Sequence, residues 1–200
     1  MVSDRGIDFE GHTMNSEVII KLAIFLAASA ALAFVSRASL RTPRSHGFYR
    51  FLAWECMLAL FVLVLDQWFR DPLSPVQLIS WFLMSISAFL VLHGVYLLRH
   101  LGSPAKERQG EPLLAFEKTT KLVTEGAYRY IRHPLYSSLL FLTWGILLKH
   151  PVPLTAAVAL AAMGFLVATA KADERECIRF FGPSYEEYIK RTKMFIPLVF

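Results

Sequence analysis

Charge is scarce in this 200-residue chain, and its absences are organised. Only 18% of the residues are Asp, Glu, Lys or Arg against 55% hydrophobic, too apolar a balance for a soluble chain of this size. Residues 22–36, 72–98, 133–148 and 150–170 contain none of the four charged types. A helix needs about 20 predominantly apolar residues to cross the hydrocarbon core of a bilayer, so these runs mark membrane-spanning candidates. Cysteine is scarcer still. Cys56 falls inside a predicted span and Cys177 in the predicted cytoplasmic tail, which excludes a ready disulfide between them. The chain has no G-x-G-x-x-G, so a Rossmann site is not indicated, and no His/Cys spacing that suggests zinc. Internal repeats and low-complexity tracts are also missing.

What is present reads as an all-α integral membrane protein with five transmembrane helices, near 17–36, 49–69, 76–98, 136–148 and 154–170. The second is interrupted only by Glu55 and Asp66, residues near its two ends that can reach the interfaces. The last two are divided by Lys149, His150, Pro151 and Pro153, which predicts a tight helical hairpin, with cytoplasmic loops and a C-terminal helix forming a ligand site. Residues 1–16 are polar and read as a tail, 17–100 as a three-helix membrane region and 101–200 as the region that carries the chemistry. The first apolar run follows an acidic rather than a basic stretch and lacks a small-residue cleavage site, so it reads as retained rather than as a signal peptide.

The net charge of +5 sits at membrane boundaries rather than along one soluble face, which argues against nucleic acid as a partner. Arg37, Arg41, Arg44 and Arg50 crowd the first connection, and the 99–132 segment is also rich in Lys and Arg. The positive-inside rule then places the N-terminus outside and the C-terminus in the cytoplasm, in a prokaryotic cell membrane or, for a eukaryotic chain, the endoplasmic reticulum.

Two constellations can carry chemistry. The first, at 126–136, includes Tyr128, Arg132, His133, Pro134, Leu135 and Tyr136, where a cytoplasmic loop enters the fourth helix. Pro134 suits the first helical position and biases His133 away from helical geometry, so the free N–H groups that follow can attract an anion, with Arg132 close by. Arg132, His133 and Tyr136 are the candidate catalytic residues; the plainer alternative is an interfacial belt of Tyr, Arg and His. The second follows the last span: Asp173 and Glu174, then Phe180, Phe181, Gly182, Tyr185 and Tyr188. Adjacent carboxylates can bind ribose hydroxyls and attract a sulfonium cation, or form a solvated face with Lys171, Arg175 and Arg179. A break at Gly182 and Pro183 precedes Ser184 and Glu187, an S-x-x-E pattern that predicts a capping box. His93 lies deep in its span, where it can line an acceptor pocket or bond a neighbouring helix.

Together, in order and spacing, these motifs resemble the C-terminal signature of the isoprenylcysteine carboxyl methyltransferase family, and the chain looks like a compact prokaryotic homologue. The resemblance covers about residues 118–198, from the 121–126 stretch through Arg132-His133-Pro134-Leu135-Tyr136 to Ile196-Pro197. It implies S-adenosylmethionine as cofactor, held by Thr120, Lys121, Leu122, Val123, Tyr128, His133, Pro134, Leu135, Tyr136 and one of Asp173 and Glu174, without a metal. It implies an isoprenylated cysteine, or a similar amphiphilic acceptor drawn from membrane lipid, as substrate. Two departures stand out: the family usually shows two glutamates where this chain has Asp173-Glu174, and an ungapped match puts Thr169 where eukaryotic members carry the arginine that holds the substrate carboxylate. Phospholipid amine methyltransferases, NADPH-dependent membrane sterol reductases with a similar Arg-His-Pro and Tyr, and a non-catalytic assembly factor are the alternatives.

Overall fold

The computed structural model describes residues 6–103 and 119–197, with side chains from residue 16 onward. The described residues are helical, with one isolated bridge between Ile131 and Lys193 in place of any sheet. In chain order the helices are α1 (Gly6–Val35), α2 (Arg37–Leu40), α3 (His46–Leu63), α4 (Pro75–Leu101), α5 (Pro134–Leu147), α6 (Pro153–Phe181) and α7 (Pro183–Arg191). Four of them begin on a proline. The fixed φ of proline suits the first helical position, where its missing N–H has no partner to lose. Ser74 and Ser45 cap α4 and α3 by accepting from Gln77 N at 3.4 Å and Phe48 N at 3.1 Å.

Helices α1, α3, α4 and α6 are long and apolar enough to cross a membrane. At 14 residues α5 is not, since about 1.5 Å per residue gives roughly 21 Å against a core of about 30 Å. Four helices among the described residues thus qualify as spans by length and composition, and the other expected span, α5, is shorter than the hydrocarbon core. Helix α1 starts at Gly6 rather than at residue 17: no proline lies between them, and the helix runs back from the apolar stretch through Gly11. Helix α6 continues to Phe181, well past the charge-free run that ends at residue 170, and this extension carries the acidic pair into the site. The capping box expected at Ser184 does not form. Pro183 takes the first position of α7, Gly182 precedes it at φ 58° and ψ −136°, and Ser184 lies inside the first turn.

Helices α3 and α6 pack as one pair, α4 and α5 as another, and α1 leans on α3. The exterior stays apolar: Val18, Ile20, Leu22, Leu26, Phe82, Phe89 and Leu160 are exposed, as faces solvated by lipid require. Between helices, small residues allow close approach, as membrane packing favours. A Cβ on Gly145 of α5 would lie 2.6 Å from Met84 Cγ of α4, and beside it Ser80 Oγ donates to the Gly145 carbonyl at 2.7 Å, a bond of about 1 kcal/mol.

The bundle has two polar ends. At one, Lys149 donates to Gln77 Oε1 at 3.0 Å and sits 3.4 Å over the Trp81 ring, while Gln77 donates back to the carbonyls of Leu148 and Lys149. At the other, the first turn of α3 meets the extension of α6: Glu176 accepts from both the backbone N–H and the ring of His46, at 3.1 and 2.5 Å.

Candidate functional site

The site grows from the loop before α5. Gly126, at φ 56°, begins a short 3-10 turn, and a Cβ there would lie 2.7 Å from both His93 Nε2 and Leu97 Cδ1 of α4. Glycine is required twice over, for its left-handed backbone and for the close approach. His93 thus abuts the loop's backbone. The chain next runs beside its own C-terminal segment: Lys193 N–H donates to the Tyr130 carbonyl at 3.0 Å, Arg132 N–H to the Lys193 carbonyl at 2.8 Å and His133 N–H to the Met194 carbonyl at 3.2 Å. Ser137 Oγ donates to the Phe195 carbonyl at 2.8 Å, and Phe195 is buried. The Tyr188 hydroxyl of α7 donates to the Tyr128 carbonyl at 2.6 Å. Sequence-distant segments are in this way sewn to the start of α5.

They enclose a cavity of about 690 Å³, counting its open mouth. Leu98 closes it from α4; Thr119, Leu122, Val123 and Tyr128 from the loop; Arg132, His133, Leu135 and Tyr136 from the start of α5; Asp173, Cys177 and Phe181 from α6; and Tyr185 and Tyr188 from α7. The two constellations separated in sequence therefore form one site. No side chain caps the N-terminus of α5, whose first-turn residues Leu135 and Tyr136 line the cavity.

Not every candidate faces it. Thr120 and Lys121 are exposed: their backbone N–H groups both donate to the Gly102 carbonyl, and Thr120 Oγ1 donates to the Ser103 carbonyl at 2.8 Å. They clamp the loop to the end of α4, and Thr119 lines the cavity instead. Pro134 is fully buried as the first residue of α5 and lies behind the wall. Glu174 is turned aside to Arg132, which it meets at 2.6 Å, while Arg132 also donates to the carbonyls of Ile189 and Thr192. Arg132 nonetheless borders the cavity, whereas Glu174 is not among its lining residues.

Asp173 is the carboxylate that borders the cavity. His133 is buried between the two acids, Nδ1 at 3.5 Å from Asp173 and Nε2 at 3.4 Å from Glu174, with its ring stacked on Tyr136. Burial opposes protonation of this imidazole, but the two carboxylates outweigh it and hold its pKa above the ordinary histidine value. Burial pushes the Tyr185 and Tyr188 hydroxyls up, so both stay protonated and neutral. The cavity accordingly offers one carboxylate edge and aromatic walls, an environment that attracts a cation and stacks a planar ring. A second group of metal-ligand type, His46, Asp173 and Glu176, has its ligand atoms within 4.8 Å of one another. Glu176 there already accepts two bonds from His46, so the group is built as an interhelical ion pair.

Leu98, Thr119 and Cys177 escaped the sequence analysis. Cys177 was within reach, because it lies four residues after Asp173 and so on the same helical face. Nothing in the pattern around Leu98 or Thr119 marked them.

An all-helical membrane protein that gathers a carboxylate and tyrosines into a cavity at one end of its bundle is the class these observations define. No family model matches the chain, and no solved structure does. Among curated proteins it is similar to a probable protein-S-isoprenylcysteine O-methyltransferase of Oryza sativa subsp. indica, 28% identical over 151 residues, covering 72% of this chain and 77% of the relative. It is 36% identical over 87 residues to protein-S-isoprenylcysteine O-methyltransferase B of Arabidopsis thaliana, covering 42% and 43%. It is 25% identical over 124 residues to a methanethiol S-methyltransferase of Crocosphaera subtropica, covering 60% of this chain and 44% of that protein. The chain spans less than half the length of the last two. What these comparisons show is similarity to proteins named isoprenylcysteine O-methyltransferases, at 28% identity over most of this chain and at 36% over less than half of it.

Proposed function

We propose that the chain is an S-adenosylmethionine-dependent membrane methyltransferase acting on the carboxylate of an isoprenylated cysteine or a similar lipid-like acceptor. The observation that carries this reading is the convergence of Asp173 with Tyr128, Tyr136, Tyr185 and Tyr188 on one cavity. The methyltransferase names of the matched relatives favour it over an NADPH-dependent reductase or an assembly factor. When bound, the cofactor supplies an electrophilic methyl group on a sulfonium. The donor set fits such a group: Asp173 would meet the positive charge or the ribose hydroxyls, the tyrosines would flank it, and the uncapped N-terminus of α5 would hold its carboxylate. His133 and Arg132 hold the two walls together through the acidic pair. An acceptor carboxylate has a pKa of about 3.3 to 3.7 and is already anionic, so the residues here need only orient it and exclude water.

Topology follows the same reading. The first basic connection and the described part of the 99–132 segment lie at the cavity end, which by the positive-inside rule supports a cytoplasmic position for that end and for the C-terminus. Helix α5 runs from the cavity end to the Lys149 end, which supports its role as a short fifth span paired with α6.

One observation favours a second reading, methylation of a small thiol. Thr169, where the family arginine is expected, is fully buried and donates to the Phe165 carbonyl of its own helix at 2.7 Å, so this position offers no charge to a substrate carboxylate. The test is thermal unfolding of the purified chain with S-adenosylhomocysteine or NADPH, followed by turnover on N-acetyl-S-farnesylcysteine and on methanethiol. A ligand at 100 times its Kd adds about 2.7 kcal/mol. Stabilisation by S-adenosylhomocysteine with methylation of the farnesylcysteine supports the proposal. Stabilisation by NADPH alone overturns it, and turnover on methanethiol alone replaces the acceptor.

A further inference from the structure

The extension of α6 points three acidic side chains in three directions. Glu174 turns to Arg132 on the loop side, Glu176 turns to the first residue of α3, and Asp173 lies between them on the cavity wall. Glu176 grips His46 twice, through the backbone N–H at 3.1 Å and Nδ1 at 2.5 Å, and His46 is wholly buried. The ligand atoms of His46, Glu176 and Asp173 lie within 4.8 Å of one another, and Arg50, one turn along α3, brings a positive charge to bear on Asp173. Asp173 is therefore set between histidines from opposite sides: His133 at 3.5 Å from the loop and His46 from α3.

We infer that His46 and Glu176 are positioning residues, which lock α3 to α6 and thereby fix the Asp173 carboxylate against the cationic part of the ligand. Two features of the geometry assign this role. A double bond from one carboxylate to the backbone and the ring of one residue fixes both rotation and rise of α6 relative to α3, which a single contact cannot do. Asp173 lies three residues before Glu176, so a shift of the latch moves Asp173 on the adjoining face of the same turn. Preorganised charge is effective only when its support is itself locked. The inference rests on the cofactor proposed above and adds two residues outside the cavity lining, of which His46 lies on α3, a helix that the motif resemblance does not reach.

The test exploits the one charge that separates S-adenosylmethionine from S-adenosylhomocysteine. Equilibrium binding of both is measured on the full chain in detergent, without acceptor, for the parent, Glu176→Gln and His46→Gln. A positioning role lowers the preference for the sulfonium: S-adenosylmethionine affinity falls by about fivefold while S-adenosylhomocysteine stays within about twofold, in the range of coupling between neighbouring charged groups. A purely structural role would weaken both ligands alike, and an unchanged ratio overturns the inference. Should the neutral variants fail to fold, the same ratio is read on Glu176→Asp, which keeps the charge on a shorter arm: a shifted ratio supports the latch and an unchanged one overturns it. A parent chain that binds neither ligand defeats the cofactor proposal and this inference together, whereas a parent that binds both, with variants of unaltered ratio, defeats the latch alone.

Discussion

At the far end of the bundle the Lys149 ammonium is wrapped by Gln77 and the rings of Trp68 and Trp81; at the cavity end the Asp173 carboxylate borders open space. Both are ionisable groups withdrawn from water in an apolar chain. The first has its partners within the bundle and closes α5 and α6 against α4. The second is braced from both sides and keeps a free edge. Burial of a charge therefore does not identify a functional site in this protein. An adjoining cavity does.

The sharpest way to break the comparison is to neutralise both groups. Asp173→Asn should weaken S-adenosylmethionine binding by about tenfold to a hundredfold, the range of a lost charge-assisted contact, while Lys149→Met should leave it within about twofold. Calorimetric titration reads both; comparable losses in the two variants would erase the distinction between ends. The next effect runs the other way. Lys149→Met should lower stability by about 2 kcal/mol, through loss of a desolvated cation–π contact and one hydrogen bond, with a change in tryptophan emission as Trp68 and Trp81 repack. Chemical denaturation in detergent measures it, and an unchanged midpoint would mean that the cage is ornamental to the fold.

The smallest expected effect concerns His133. Its pKa is raised in the folded protein, so its contribution to stability is fully present below the ordinary imidazole value of about 6.5 and is lost as pH rises through the folded pKa. Thermal unfolding followed from pH 6 to 9, on the order of the imidazole range, should show the parent losing stability upward across this window, and His133→Gln should flatten that slope. A steeper slope in the variant would reverse the sign and remove the paired-carboxylate account.

Much of this was legible from residue type and spacing. Pro75, Pro134, Pro153 and Pro183 each mark a helix start, because proline's φ and missing donor are tolerated at that position and nowhere later in the helix. Ser184 misled for the same reason: a capping box pattern yields when the preceding proline takes the first helical position. Thr120 and Lys121 looked like ligand contacts in their motif, but their backbone N–H groups are taken up by the Gly102 carbonyl and Thr120 Oγ1 by the Ser103 carbonyl, while Leu122 and Val123 turn inward. The connection at 104–118, expected on the cytoplasmic side, lies outside the described residues.

The sequence alone determined the solvent and the class. Long charge-free runs can only be helices in lipid, since every backbone donor and acceptor there must be met within the segment. It also singled out the 126–136 loop and the acidic pair as candidates, and the structure brings Tyr128, Arg132, His133, Leu135, Tyr136 and Asp173 together at one cavity. Which acid would face the cavity was decided by tertiary structure. Neighbouring residues on a helix diverge by about 100°, so Asp173 and Glu174 cannot point the same way, and only the positions of Arg132 on one side and His46 on the other settle which of them is left free.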